Sequence, residues 1–353
     1  MQTAGDRGDV KLGVVGLGYW GPNRVRAAMD VPGVTVDYLC DVDESRLERI
    51  ARRYPGAIPT TRFETLLEDP GLDAIVIATP VFTHHELVSA SLAAGKHTFV
   101  EKPLAASLSD ARQLAALAQE LGLVLMPGHT FLYSPPVQAI RDLIVSGALG
   151  EIYFVSTSRV NLGLHQSDAS VVWDLGPHDF SILSYWLEES PVGVTALSRG
   201  CVMPDTPDVA FIQLEYASGV VANVELAWLA PSKLRRTTVV GSQKMVVYDD
   251  TSAESVRVFD SGVNLPDPES FGEYRLSYRT GDIVSPRIPV AEPLALELED
   301  LCRAIRTGSD LRSTPQLGVE VVRVVEAAER SLAERARVEI AGADNPVGAQ
   351  TAH

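Results

Sequence analysis

The stretch Lys11-Leu12-Gly13-Val14-Val15-Gly16-Leu17-Gly18-Tyr19-Trp20-Gly21-Pro22 decides how the rest of the chain is read. An apolar run of strand character, residues 11–15, passes directly into glycines spaced G-x-G-x-x-G, and residues 22–29 continue as a short helix candidate. Alone the glycine pattern is weak, but between a strand and a helix it has the context that dinucleotide binding requires. Gly16 permits the sharp turn, Gly18 lets backbone approach a pyrophosphate, and Gly21 lets helix and strand pack closely. The phosphates then meet a helix N-terminus, whose first N–H groups have no intrahelical acceptor. Pro22 suits that first turn because its missing N–H would have had no partner there. Asp41 ends the next strand candidate (residues 35–40), close to the usual separation of about 20 residues from the loop. A carboxylate there accepts hydrogen bonds from both ribose hydroxyls and repels a 2′-phosphate, which favours NAD over NADP. Two alternatives stay open: Asp41 as a helix cap, and Arg46 as a cation that would accommodate the phosphate.

Working outward, residues 44–53 and 63–68 read as helices and 73–78 as a buried parallel strand. A helix over 83–94 ends at Gly95, a strand covers 98–100, a helix over 109–121 stops at Gly122, and a strand follows at 123–126. Such alternation predicts an α/β domain, a parallel sheet with helices on both faces. After Pro127 the period changes. A helix candidate at 136–145 leads into alternating strands at 152–160, 194–202, 209–216, 220–228, 237–240 and 245–248. Hairpin turns stand at 217–219 and 241–243, and helices at 179–186, 294–307 and 316–335. The expected organisation is a dinucleotide-binding domain at 8–128, an α+β domain at 129–341 and a flexible tail at 342–353.

The composition sets bounds. A chain of 353 residues with 46% hydrophobic content and a mean hydropathy of +0.07 suffices for two packed cores. No stretch approaches the roughly 20 apolar residues of a membrane span, and the first nine residues lack the features of a signal peptide. Cys40, Cys201 and Cys302 show neither disulfide nor metal spacing, and a reducing cytoplasmic setting is expected. Thirty basic and 46 acidic residues leave a net charge of −16, which repels nucleic-acid phosphates. The same field suits either plain solubility or a cationic substrate such as an amino sugar.

Two segments carry candidate chemistry. Glu101-Lys102-Pro103 follows a parallel strand at the carboxyl edge, where open α/β sheets bind ligands. Lys102 there reads as an acid–base group facing a nicotinamide or, on composition alone, as a surface lysine. In Trp173-Asp174-Leu175-Gly176-Pro177-His178-Asp179, Asp174 and His178 share one face if the segment is helical. A carboxylate beside an imidazole raises its basicity and orients it, as a general base for alcohol oxidation requires. A helix cap and a packed polar histidine are the alternatives. His84-His85 and His178 lack metal-binding spacing, so no metal is expected.

Together these segments resemble the Gfo/Idh/MocA oxidoreductases, the family of glucose–fructose oxidoreductase and inositol 2-dehydrogenase. The resemblance rests on residues 16–23 with Tyr19 and Trp20, Ala-Thr-Pro at 78–80 with His84, residues 94–105, Gly-His-Thr-Phe-Leu-Tyr at 128–133, and residues 173–179. It implies an N-terminal Rossmann domain and a C-terminal domain built on a large, mostly antiparallel open sheet, through which homodimers or homotetramers form. It further implies that Lys102, Asp174 and His178 form the catalytic group. Thr79, Pro80 and His84 then lie with the cofactor, Glu101 and Pro103 shape its pocket, and the Lys102–Pro103 bond is a candidate for cis. Tyr133, Asn161, His165 and Asp168 are candidate substrate contacts. Gly176 departs from the alanine of many relatives. Residues 19–23, 128–135 and 159–163 look most like enzymes of nucleotide-sugar or aminoglycoside pathways, including antibiotic biosynthesis. Those oxidise a ring hydroxyl, often at C3, to a ketone with NAD. Reduction of a 3-ketosugar is the alternative, and a non-catalytic NAD-binding regulator a more distant one.

Overall fold

The computed structural model describes residues 9–163, 165, 169–264 and 277–340. Asp168 and the tail expected at 342–353 lie outside the described residues. The chain divides into two compact units, one holding the residues up to Tyr133 together with Ala291–Val322, the other Ser134–Val290 and the residues from Arg323 onward.

In the first unit strands and helices alternate: β1 (Val10–Val15), α1 (Gly21–Met29), β2 (Val34–Cys40), α2 (Glu44–Ala51), β3 (Ile58–Thr60), α3 (Glu64–Glu68), β4 (Ala74–Ile77), α4 (His84–Ala93), β5 (His97–Glu101), α5 (Leu108–Leu121) and β6 (Leu125–Gly128). The strands form a parallel sheet in the order β3-β2-β1-β4-β5-β6. All of β4, and β1 apart from Lys11, is buried, as expected of strands covered on both faces. The helices begin and end where their residues dictate. Asp43 caps α2 by accepting from the N–H groups of Ser45 and Arg46, and Ser107 caps α5. Gly122 ends α5 at φ 64°, a left-handed conformation that glycine adopts without a Cβ penalty. Because β1 lies between β2 and β4, the strand order reverses there, and the carboxyl ends of β1 and β4 frame the crevice in which open sheets bind ligands.

The second unit contains α6 (Pro135–Val145), β7 (Ile152–Val160), α7 (Val171–Leu187), β8 (Pro191–Arg199), β9 (Val209–Tyr216), β10 (Val221–Ala227), β11 (Leu234–Gly241), β12 (Met245–Asp249), β13 (Val256–Asn264) and β14 (Ser277–Val284). With β15 (Val338–Glu339) these strands form a sheet in the order β14-β13-β12-β11-β7-β10-β9-β8-β15. Every pairing is antiparallel except β7 with β10. Sequence periodicity did not reveal β13 and β14, where apolar residues alternate irregularly with charged ones. One face, with Val155, Leu214, Ala222, Val239 and Val246, is buried, and α7 packs against β7, β9 and β10.

Helix α7 begins eight residues before the helix expected at 179–186 and runs through Pro177. Proline inside a helix removes a hydrogen bond and crowds the preceding turn, at a cost of about 3 kcal/mol. Tertiary burial offsets that cost: Gly176, Pro177, Phe180 and Leu183 are all buried. A Cβ on Gly176 would stand 2.9 Å from the Phe180 ring, so glycine at this position accommodates the aromatic side chain. Asp179 anchors the helix to the sheet, accepting from Arg159 Nε at 2.5 Å and from Thr157 Oγ1 at 2.7 Å.

Further along, the chain supplies α8 (Pro293–Thr307) and α9 (Pro315–Glu334). Residues 291–322 belong to the first unit, whereas the sequence pattern assigned them to the second. There Ser313 Oγ donates to the Pro127 carbonyl at 2.6 Å, and the Tyr133 hydroxyl donates to Asp300 at 2.6 Å.

The buried Arg159–Asp179 pair yields a stability prediction. Arg159→Met strands a buried carboxylate and should cost about 3–5 kcal/mol, whereas replacing both partners with apolar residues should recover most of that loss. Denaturant midpoints of the three proteins, followed by circular dichroism, check this.

Candidate functional site

The glycine loop follows β1 at the switch point. Gly16 has φ 88° and lies so close to the end of β4 that a Cβ would stand 2.7 Å from the Ala78 carbonyl oxygen. A Cβ on Gly21 would stand 1.9 Å from the Gly16 carbonyl oxygen, so only glycine lets α1 close onto the loop. Gly18 differs: a Cβ there would meet nothing within 4 Å. That open side leaves its backbone accessible to a phosphate, and α1 begins after Trp20 without a side-chain cap. Tyr19 and Trp20 extend from the loop, their rings edge-on at 5.3 Å. Asp41 accepts the Leu17 N–H at 2.6 Å and the Asp43 N–H at 2.8 Å, bracing the loop from the end of β2. The cap of α2 is Asp43, not Asp41, and Arg46 pairs with Asp43 at 3.1 Å. These residues fit a dinucleotide: a glycine turn open at its centre, an uncapped helix start, and an acid beside them.

The ends of β4 and β5 are joined by His84. Its Nδ1 lies 2.9 Å from the Pro103 carbonyl oxygen and its Nε2 3.0 Å from that of Thr79. Burial pushes this imidazole below its ordinary pKa, and the two carbonyls oppose that shift. His84 thus ties the Thr79 and Pro103 carbonyls to one ring. The Lys102–Pro103 bond is cis. His129, just past β6, is fully buried; burial and then the charge of Lys102 push its imidazole down to about 3.

Glu101 turns inward to a cluster that sequence reasoning missed. Arg24 of α1 donates from Nε to Glu101 at 2.6 Å and from Nη1 to Glu297 of α8 at 2.5 Å. Thr130 donates to the same Glu297 oxygen at 2.8 Å, and the guanidinium lies 4.4 Å from the centre of the Phe99 ring. Burial alone would lower the pKa of Arg24, but the two carboxylates outweigh it and raise it. One cation cannot neutralise two buried carboxylates. Burial accordingly raises Glu297 to about 7, with the charge of Glu101 adding to the rise and Arg24 opposing it. The available signal was an arginine on the buried side of a short helix, with nothing local to name its partners.

In the second unit, the 173–178 segment is helical, so Asp174 and His178 stand four residues apart on one face of α7. The Trp228 indole, just beyond β10, donates from Nε1 to Asp174 Oδ2 at 3.0 Å. His165 lies against the same indole, ring centroids 5.4 Å apart, with Nε2 3.7 Å from Asp208 Oδ2. Burial would raise the Asp208 carboxyl, but the N–H groups of Val202 and Cys201 outweigh it and hold it below the usual range. Asn161, at the end of β7, donates its backbone N–H to the Ala227 carbonyl at 3.1 Å. Trp228 and Asp208 also escaped the sequence analysis. Tyr133 is 1% exposed and its hydroxyl is engaged by Asp300 and by the Ser313 N–H, so it packs within the first unit. Among the described residues, no group of three His, Cys, Asp or Glu side chains could hold a metal ion, and no helix is long and apolar enough to cross a membrane.

The Glu297 carboxyl predicts a pH dependence. The folded state holds its proton up to about 7, whereas an unfolded glutamate releases it near about 4.3. The folded protein therefore binds the additional proton between those values, and stability falls as pH rises through that window. Glu297→Gln should remove this part of the slope, read from denaturant midpoints between about pH 5 and 8. Parallel slopes for the two proteins would contradict it.

Comparison with known proteins agrees with this geometry. Residues 10–129 match a model described as an oxidoreductase family with an NAD-binding Rossmann fold, and residues 137–247 match the GFO/IDH/MocA C-terminal domain. The chain is 25% identical over 346 residues to inositol 2-dehydrogenase of Rhizobium meliloti, covering 94% of this chain and 99% of the relative. The structure of GenD2 from gentamicin A biosynthesis in complex with NAD superposes with a TM-score of 0.80 at 26% identity, covering 95% of this chain and 97% of that one. UDP-N-acetylglucosamine 3-dehydrogenase GnnA from Acidithiobacillus ferrooxidans shares the fold at a TM-score of 0.79 and 21% identity, over 92% of this chain and 98% of that one. With both halves of the chain matched, and a glycine loop and a helical Asp174/His178 pair in place, the chain belongs to the GFO/IDH/MocA family of NAD-binding oxidoreductases.

Proposed function

We propose that this protein oxidises a secondary ring hydroxyl, at C3 of a sugar, nucleotide sugar or aminoglycoside, to a ketone. The observation that carries this reading is the Asp174/His178 pair on one face of α7, with the Asp174 carboxylate held by Trp228. The similarity to GenD2 and to inositol 2-dehydrogenase supports a polyhydroxylated ring as substrate. The net charge of −16 suits a cationic amino sugar among these.

Bound NAD⁺ supplies the hydride acceptor. In the proposed reaction His178 takes the hydroxyl proton as the carbinol C–H is lost as hydride, leaving a C=O bond. Lys102 hydrogen-bonds the same oxygen and stabilises its developing negative charge, a contribution of a few kcal/mol in comparable sites. Asp174 orients His178 or a neighbouring substrate hydroxyl. Asp41 accepts from the adenosine ribose, and its charge disfavours a 2′-phosphate.

The open face of the second unit's sheet supports a homodimer or homotetramer. Phe154 and Val221 pair in register and each is 45% exposed, and exposed Ile283 lies further along the sheet. Contiguous apolar surface of this kind marks interaction sites. Phe154→Lys should shift the oligomer toward monomer in sedimentation-velocity runs; an unchanged sedimentation coefficient would exclude this face.

The activity is tested by following NADH formation with myo-inositol, D-apiose, UDP-N-acetylglucosamine and aminoglycosides, and NADH consumption with the corresponding ketones. Lys102→Ala and His178→Ala should retain NADH binding, measured by fluorescence, while losing about 10²–10⁴-fold in turnover. NADH should bind more tightly than NADPH. Near-normal turnover in both variants would defeat the assigned roles, and no turnover in either direction would defeat the enzymatic reading.

A further inference from the structure

We infer that Trp228 is a positioning residue for the reaction, holding the Asp174 carboxylate and the His165 imidazole in one arrangement. The inference rests on the proposed role of Asp174 and extends it to the buried indole that holds its carboxylate.

Trp228 is itself tightly held. Its backbone N–H donates to the Asp208 carbonyl and its carbonyl accepts from the Gly163 N–H, both at 2.9 Å. The side chain is 1% exposed. Gly163 lies directly against the ring: a Cβ there would stand 3.1 Å from Trp228 Cδ1. An indole has one donor and no acceptor, so its N–H can hold a carboxylate oxygen without adding charge. That distinction matters at Asp174. An arginine or lysine in the same place would neutralise the carboxylate, and with it the field that makes a neighbouring imidazole more basic. Trp228 sets the direction of the carboxylate and leaves its charge intact. The same ring backs His165, whose Nε2 faces the buried Asp208. One side chain therefore couples the acid on α7 to Gly163 and His165.

The test begins with ¹⁵N-indole spectra of the full chain, in which Trp228→Phe identifies the Trp228 signal among the four tryptophans. Asp174→Asn, which removes the charge from the acceptor, should shift this signal. A Trp228 signal unaffected by Asp174→Asn overturns the inference. Kinetically, with whichever sugar the screen shows to be turned over fastest, Trp228→Phe should lower kcat roughly ten- to hundredfold, the scale of a hydrogen bond to a charged group. KM and NADH binding should stay near wild type, and the acidic limb of the pH–rate profile, where the general base takes up its proton, should move. In an Asp174→Asn background Trp228→Phe should cost little more, because the two act as a unit; fully additive losses overturn the inference. If Asp174→Asn keeps full activity while the spectral coupling holds, the catalytic reading fails and the positioning contact stands without a catalytic purpose. Should Trp228→Phe not fold, Gly163→Ala displaces the ring while keeping its N–H. A shifted indole signal with a lower kcat is then expected, and no change in either overturns the inference.

Discussion

Arg24 is the constraint on which the first unit turns. A guanidinium sealed from water must keep at least one carboxylate, because losing both leaves an uncompensated buried charge. Its two carboxylates come from the residue before Lys102 and from α8. The helix that opens at the glycine loop, the strand end that presents Lys102 and the returning chain are thereby tied to one planar group. Planarity matters here. A guanidinium bonds in fixed directions, so the tie sets orientation as well as proximity. The excess carboxylate is accommodated by a raised Glu297 pKa, which lets the cluster approach neutrality by holding a proton.

The second unit uses the same device for its own helix. Arg159 and Thr157 of β7 hold Asp179 of α7. Turning Asp179 toward the sheet directs the face bearing Asp174 and His178 elsewhere, since neighbouring helix positions differ by about 100°. A buried polar anchor next to a candidate catalytic histidine thus fixes the helix's rotation, which an apolar contact specifies less sharply. Trp228 completes the arrangement from the strand side through a single neutral donor. In both units the groups proposed to do chemistry are half-buried, while the groups that position them are fully buried and paired.

Much of this was legible beforehand because its signals are local. The change from alternating strands and helices to long strands with tight hairpins separates the two sheets at the residue level, and the glycine loop announces its turn through positions that no other residue fits. Asp174 and His178 could be paired on spacing alone, although only on the condition of helical geometry. That condition was hidden by Gly176 and Pro177, the two residue types with the poorest helix propensity. The structure shows them buried within the helix, where packing outweighs their poor propensity. For Tyr133 the motif gave no sign of the partners its hydroxyl finds in the core, Asp300 and the Ser313 N–H.

By itself the sequence determined the two sheet types, the glycine loop with its acid, and the residues available for chemistry, because periodicity, turn geometry and side-chain type act over a few neighbouring positions. Only the tertiary structure decided which partners Arg24, Asp179 and Asp174 receive, that residues 291–322 return to the first unit, and that β13 and β14 join the second sheet. Those outcomes depend on contacts between positions as much as 273 residues apart, as for Arg24 and Glu297. Buried polar groups must be satisfied somewhere, and no local pattern says where.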